Sequence, residues 1–282
     1  MLRGILSIQS EVVYGHVGNS AARLALQRLS HEVFCIPTVL FSNHPGHGHH
    51  TGEAFPFGQM AALVEGLETN GYLRGISAVI SGYLGDPAQA GVIADTVGRV
   101  KTANPNAVYC CDPVAGDWPN GSYVSDAVAG AIVSQLLPMA DIATPNVYEL
   151  SRFTDHAVTD PESAVAAARE LGPELVLVTS VPGRDPDQIA TIAVTPKAAW
   201  LTETPRRENV PHGLGDLMTA LFMGQWLRSR DIPGALGLAA SSVDAILRAS
   251  LRASAHEILI VQEQNRIVEP TYMRPMVIDG RA

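Results

Sequence analysis

A short glycine-rich segment with one carboxylate is the strongest candidate for chemistry in this sequence. His212, Gly213, Leu214, Gly215 and Asp216 stand directly before an apolar stretch, LMTALFMGQWL, that predicts a long helix. Two glycines at a helix start let an anion approach main-chain N–H groups at the positive end of the helix dipole. Asp216 could then accept the proton of a hydroxyl that attacks phosphorus. Taken alone, the motif also fits a glycine turn whose aspartate only complements the dipole.

Polar residues follow six short apolar runs that predict strands. Strand-like runs alternate with helix-like segments along the chain, which predicts a mostly parallel sheet with helices on both faces. In such α/β sheets, ligands bind beyond the carboxyl ends of the strands. The six predicted strand exits are Gln9-Ser10, Ser42-Asn43-His44, Gly82-Tyr83, Asp112-Pro113, Thr144-Pro145-Asn146 and Thr179-Ser180. Their side chains are therefore expected to meet along one edge.

The elements that must position these residues follow from apolar period and from turn signals. Helices are predicted over 19–29, 58–72, 87–102, 125–137, 160–171, 213–230 and 234–252. Strands are predicted over 5–8, 32–40, 77–81, 107–111, 141–143, 175–179 and 257–262, with a hairpin over 189–194 and 198–203. Pro37 predicts an edge position or a break in the second strand. No linker, repeat or change of composition interrupts the pattern, so one domain over residues 1–282 is expected.

Composition excludes several classes of protein. The 282 residues include 46% hydrophobic residues, enough apolar side chain to rule out a disordered chain. Lys plus Arg is 19 and Asp plus Glu is 28, a net charge of −9. That balance argues against a nucleic-acid or anionic-membrane surface, both of which need clustered positive charge. A bound phosphate must therefore be held by backbone dipoles or by a metal ion.

The cysteines and the N-terminus indicate a reducing compartment. Three cysteines in a chain of this length do not suggest a disulfide framework. Cys110 and Cys111 are interpreted as small packing residues of a strand. The first residues meet Gln9, Ser10 and Glu11 before any long apolar stretch, so neither a signal peptide nor a membrane span is predicted there. A cytoplasmic location is expected.

The strand exits, taken in order, resemble those of the pyridoxal kinase family within the ribokinase-like superfamily, whose signature is Gly-x-Gly-Asp. The resemblance extends from residue 5 to about residue 262, and no Walker-type motif suggests a P-loop kinase. The matching segments are Ser7-Ile8-Gln9-Ser10, residues 12–22, Phe41-Ser42-Asn43-His44, Ser81-Gly82-Tyr83-Leu84, Cys111-Asp112-Pro113-Val114, Gly116-Asp117, Thr144-Pro145-Asn146 with Glu149, and Val178-Thr179-Ser180.

The resemblance implies an α/β fold with three layers and an ATP-dependent phosphorylation of the 5′-hydroxymethyl group of pyridoxal. Asp216 would be the general base, the backbone from Gly213 to Gly215 the anion hole, and Ser10 and Tyr83 contacts of the pyridoxal ring. The residues implied near the nucleotide are Asp112, Asp117, Thr144, Asn146, Glu149, Thr179, Ser180 and Leu214, with Asp117 and Glu149 near Mg²⁺. The family also suggests a homodimer. Alternatives are a hydroxymethylpyrimidine or sugar kinase of the same fold, or a pyridoxal- or nucleotide-binding protein without catalysis.

One loop departs from the family pattern, Asn-His-Thr-x-Tyr with a later Trp. Pro45 replaces the Thr, His47 the Tyr and His50 the Trp. Because proline has no hydroxyl, one hydrogen bond to the substrate is lost, and the preferred form of vitamin B6 stays open. The histidines between 44 and 50 fit a mobile pocket loop, a solvated loop or, with their irregular spacing, a metal site.

Overall fold

A ten-stranded mixed sheet forms the centre of the molecule in a computed structural model, which describes residues 4–280. The strands are β1 (Gly4–Tyr14), β2 (Glu32–Asn43), β3 (Gly52–Ala54), β4 (Ile76–Ser81), β5 (Val108–Cys111), β6 (Gly116–Asp117), β7 (Gly121–Ser122), β8 (Ile142–Ala143), β9 (Leu175–Pro182), β10 (Gln188–Val194), β11 (Ala198–Pro205) and β12 (Met276–Gly280). The order across the sheet is β12-β11-β10-β9-β8-β5-β4-β1-β2-β3, and β6 pairs with β7 separately.

The central strands run parallel, as the alternation of strands and helices predicts. Parallel pairs join β2, β1, β4, β5, β8 and β9, whereas β3 and the strands from β10 to β12 add antiparallel edges. The predicted hairpin is confirmed as β10 and β11, paired from Gln188↔Pro205 to Val194↔Ala199. The expected ribokinase-like α/β architecture is therefore confirmed, with the parallel strands sharing one carboxyl edge.

Helices cover both faces of the sheet. They are α1 (Asn19–Arg28), α2 (Phe57–Thr69), α3 (Ala88–Ala103), α4 (Asp126–Ala131), α5 (Val147–Thr154), α6 (Pro161–Glu170), α7 (Leu214–Ser229), α8 (Ile232–Arg252) and α9 (Asn265–Val268). Successive strand residues point to opposite faces. Ile5 and Cys110 accordingly pack with α1, α7 and α8, whereas Leu6 and Cys111 pack with α2 and α3. A third buried cluster joins α5 and α6 to the strands from β9 to β11.

Helix α8 is long and apolar enough to cross a membrane by length and composition alone, and half of its apolar window is buried inside the molecule. It packs against α7, β10 and β11. These contacts account for its apolar residues as part of a protein core.

Several predicted strands differ from those observed. The first continues beyond Ser10 to Tyr14, so Gln9 and Ser10 lie within β1 rather than after it. The second continues through Pro37, where the pairing with β1 shifts register. β3 pairs with β2 only from Val39 onward, so proline stands where β2 is itself the edge and its missing N–H leaves no partner unsatisfied.

The predicted strand over 257–262 is wrong. That segment forms turns, and Ile258 and Ile260 are buried against the helical side of the core rather than in the sheet. β12 instead occupies the sheet edge beside β11. Its Met276 and Val277 are exposed, which explains why no alternating apolar pattern predicted it.

Candidate active site

The N-terminus of α7 presents main-chain N–H groups beside Gly213. Gly213 has φ 90° and ψ 0°, a left-handed conformation that glycine adopts without strain. A side chain at this position would also collide with the carbonyl oxygen of His16. The first intrahelical bond runs from the Leu217 N–H to the Gly213 oxygen, at 3.0 Å. The N–H groups of Leu214, Gly215 and Asp216 therefore precede the helical ladder and are available to an anion.

Asp216 stands at this helix start, beside a second glycine turn. Its carboxylate accepts a hydrogen bond from the Gly18 N–H, and partial burial raises the pKa of this carboxyl to about 6. Gly18 has φ 51°, and a side chain there would collide with Ser10. Ser10 and Asp216 therefore flank the same turn, which places an acceptor-binding hydroxyl beside a candidate base.

Tyr83 lies on the strand next to Ser10 at the carboxyl edge. Gly82, at the end of β4, donates its N–H to the Ile8 oxygen of β1 at 3.1 Å. The Thr38 hydroxyl donates to the Tyr83 carbonyl oxygen at 2.5 Å, which fixes the start of the following loop. The Tyr83 ring is half-buried, and burial raises the pKa of its phenol. An amphipathic ring in that position suits an aromatic acceptor.

A buried hydroxyl network lies beneath the helix start. Thr219 donates to Asp112 Oδ2 at 2.9 Å, and its Oγ1 lies 2.9 Å from the Thr144 hydroxyl. Asp112 is almost fully buried, and burial together with the charges of Glu149 and Asp216 holds its pKa well above the ordinary range. The network joins α7 to the ends of β5 and β8. Sequence reasoning missed Thr219 because it lies within the apolar stripe of α7.

Glu149 organises the loop after β5. One carboxylate oxygen accepts from the Ala115 N–H at 2.8 Å and the Gly116 N–H at 3.4 Å, and the other accepts from the Asn146 N–H at 2.9 Å. Asn146 completes a capping box on α5 and donates its side-chain amide to the Gly116 oxygen at 2.7 Å. Burial outweighs these bonds and raises the pKa of Glu149 to about 7. Both residues thus hold the loop that carries Asp117.

The other predicted nucleotide residues lie along the same edge. Asp117 is half-buried in β6 and accepts from Asn120 Nδ2 at 2.9 Å. Thr179 pairs with Asn146 in a parallel bridge, and Ser180 follows it, exposed and with φ 60°. Within residues 4–280, no group of three or more His, Cys, Asp or Glu side chains is arranged as a metal-ligand set. The carboxylates of this edge are therefore suited to a metal that takes its remaining ligands from phosphate and water.

The loop over 44–50 packs against the residue before the anion hole. The His44 ring stacks on His212 with 3.9 Å between centroids and an interplanar angle of 28°. His47 meets His212 edge-on at 5.8 Å, and its Nε2 lies 2.6 Å from Glu257 Oε1. Burial and the neighbouring histidines lower the pKa of His44 to about 4, and burial also lowers that of His212. The loop therefore lies at the acceptor side of the site.

Comparison with known proteins gives one consistent result. A family model described as phosphomethylpyrimidine kinase matches residues 62–260. Pyridoxal kinase PdxY of Corynebacterium diphtheriae is 45% identical over 94% of this chain and 96% of its own length. The corresponding protein of Rubrobacter xylanophilus is 43% identical over 96% of both chains.

Solved structures agree with the sequence relatives. The pyridoxal kinase of Leishmania donovani in complex with ADP and pyridoxine superposes with a TM-score of 0.90 at 28% identity, covering 97% of this chain and 99% of that one. The pyridoxal kinase of Entamoeba histolytica has a TM-score of 0.90 at 25% identity, covering 99% and 100%. The helix start with Asp216, the strand exits and these relatives lead to one conclusion: the chain belongs to the pyridoxal kinase family.

Proposed function

We propose that this protein transfers the γ-phosphoryl group of ATP to the 5′-hydroxymethyl oxygen of pyridoxal. The observation that carries the proposal is Asp216, a carboxylate with a raised pKa in the first turn of α7, beside unpaired N–H groups and one glycine turn from Ser10. The names of the relatives at 45% and 43% identity support the same reaction.

The reaction can be written from the groups present. Asp216 takes the proton from the acceptor hydroxyl as the oxygen attacks the γ-phosphorus. A new oxygen–phosphorus bond forms, the bond to the β-phosphate oxygen breaks, and ADP leaves with the negative charge. The N–H groups of Leu214 and Gly215 stabilise the charge on the transferring group, because phosphoryl transfer depends chiefly on positioning and electrostatics. Ser10 and Tyr83 orient the pyridoxal ring.

The carboxylates at the nucleotide side fit a magnesium ion. The charges of Glu149 and Asp216 raise the pKa of Asp112, so a cation among these groups would relieve their mutual repulsion. Asp117 and Glu149 are the residues proposed to lie near it, through water or by holding the loop. Bound Mg²⁺ would neutralise phosphate charge. Asn146, Thr144, Thr179 and Ser180 are proposed to supply neutral hydrogen bonds on the same side, as listed at the strand exits.

A hydroxymethylpyrimidine kinase is the second candidate, because the matching family model is described as phosphomethylpyrimidine kinase. Both acceptors carry a hydroxymethyl group on a flat ring. The deciding experiment incubates the protein with Mg-ATP and either pyridoxal, pyridoxine, pyridoxamine or hydroxymethylpyrimidine, and identifies phosphate esters by mass spectrometry. The highest kcat/KM is expected with a B6 form. A higher value with hydroxymethylpyrimidine would reverse the assignment.

We also propose a homodimer in the cytoplasm. Val13 and Tyr14 at the end of β1 are 81% and 64% exposed, and Leu40 on neighbouring β2 is 47% exposed. Contiguous apolar surface of this kind commonly marks a protein interface. The free thiols of Cys35, Cys110 and Cys111 support a reducing compartment. Sedimentation of the wild type and of Val13→Asp distinguishes a dimer dependent on this surface from a monomer.

A further inference from the structure

Glu257 connects three segments near the anion hole. Its Oε2 accepts the His16 N–H at 2.9 Å, and its Oε1 lies 2.6 Å from His47 Nε2. Its backbone pairs with His212 in a parallel bridge. Only 12% of the Glu257 side chain is exposed. One carboxylate thus holds the turn after β1, the loop over 44–50 and the approach to α7.

The turn after β1 is built to admit this carboxylate. Gly15 has φ 104°, and a side chain there would lie 2.5 Å from Glu257 Oε1 and 2.7 Å from Oε2. Glycine is therefore required both by its backbone conformation and by the space that the carboxylate occupies. The next residue donates its N–H to Glu257, so the turn and the carboxylate fit together as a unit.

The contacts continue from this turn to the reactive groups. The His16 oxygen lies against Gly213, and Gly18 donates its N–H to Asp216. On the other side, Gly46 lies against His212, on which His44 stacks. Glu257 itself touches neither Asp216 nor Ser10 in any hydrogen bond of the described chain. It acts on the site through the two segments that it holds.

We propose that Glu257 is a positioning residue for the acceptor alcohol. It fixes the 15–18 turn and the 44–50 loop beside the anion hole, so that the acceptor ring binds between preformed walls. The nucleotide residues lie on other strands, at the ends of β5, β8 and β9. Loss of Glu257 therefore weakens acceptor binding and leaves ATP binding unchanged. This inference rests on the proposed pyridoxal kinase activity.

The test compares Glu257→Ala and Glu257→Gln with Glu269→Ala, an exposed carboxylate of the same C-terminal region. Glu257→Ala removes two hydrogen bonds that involve a charged group, so KM for pyridoxal should rise about tenfold or more. KM for ATP should stay within about twofold, because a loss of uniform binding to one substrate leaves the other unaffected. Glu257→Gln keeps an acceptor for the His16 N–H and a donor for a neutral His47 ring, so it should recover part of the loss.

His47→Ala provides a second variant that does not disturb the core, and His156→Ala is its control, since His156 Nε2 lies 2.8 Å from Glu170 in an exposed pair elsewhere. His47→Ala should raise KM for pyridoxal, and adding it to Glu257→Ala should give less than the product of the two effects. Equal rises in both KM values, or unchanged KM for pyridoxal in active Glu257 and His47 variants, would overturn the inference. A wild type inactive on pyridoxal would instead overturn the proposed function.

Discussion

Replacing Asp216 by Asn should stabilise the protein at neutral pH. Burial raises the pKa of Asp216 from 3.8 to about 6. A difference of about 2 pKa units corresponds to about 3 kcal/mol. Because the carboxylate is only partly buried, solvent screening reduces the expected gain to about 1–2 kcal/mol. The asparagine oxygen can still accept the Gly18 N–H, so the comparison isolates the charge.

The pH dependence of this gain has a definite sign. A raised pKa favours the protonated carboxyl in the folded state, so the stabilisation is present below pH 3.8 and is lost as the pH rises through about 6. Thermal unfolding of Asp216→Asn at pH 8 should therefore show a Tm about 3–5 °C above the wild type. The gap should shrink as the pH is lowered toward 4.

Activity should follow the same titration in the wild type. If Asp216 is the general base, kcat/KM for pyridoxal should rise with a limb near pH 6 and level off above it. An Asn variant that is equally or less stable at pH 8, together with a flat activity profile between pH 5 and pH 8, would refute the assignment of a desolvated base at this position.

Two further pairs of variants test the helix start and the network beneath it. A side chain at Gly215 meets no atom within 4 Å, so Gly215→Ala should fold normally, yet lose about tenfold or more in kcat because its methyl group occupies the anion position. Gly213→Ala should instead unfold at lower temperature, because the alanine meets the His16 oxygen at φ 90°. Thr219→Val should cost about 1–3 kcal/mol by leaving Asp112 without its buried donor, and Thr219→Ser should recover most of it in chemical denaturation. Full activity of Gly215→Ala, or equal stability of both Thr219 variants, would contradict these interpretations.

Elements with both a start signal and a clear period were predictable from the sequence. Asp160 followed by proline predicts the start of α6, and the structure shows that cap at the predicted place. The apolar period alone misled at residues 257–262, because buried turns need apolar residues as much as strands do. β12 lacks alternation because its side chains are largely exposed, and only its pairing with β11 defines it.

The site was predictable where residues follow strands, and less so where contacts depend on distant parts of the chain. Asp112, Thr144 and Asn146 were recognised from their positions at strand exits. The Asn146 and Glu149 spacing also carried a capping-box signal that could have identified their mutual bonds. Glu257 bonds to His16 across 241 residues of sequence, and only the tertiary fold brings them together.

The most direct test of the central claim measures binding and chemistry in the same Asp216→Asn sample. Calorimetric titration gives the affinity for Mg-ATP, and rapid mixing of the nucleotide-bound protein with excess pyridoxal gives the amount of 5′-phosphate ester formed in one turnover. Asp216 as the base at an intact anion hole predicts ATP affinity within about twofold of the wild type and a loss of ester formation of at least about a hundredfold. Ester formation at the wild-type rate would contradict it.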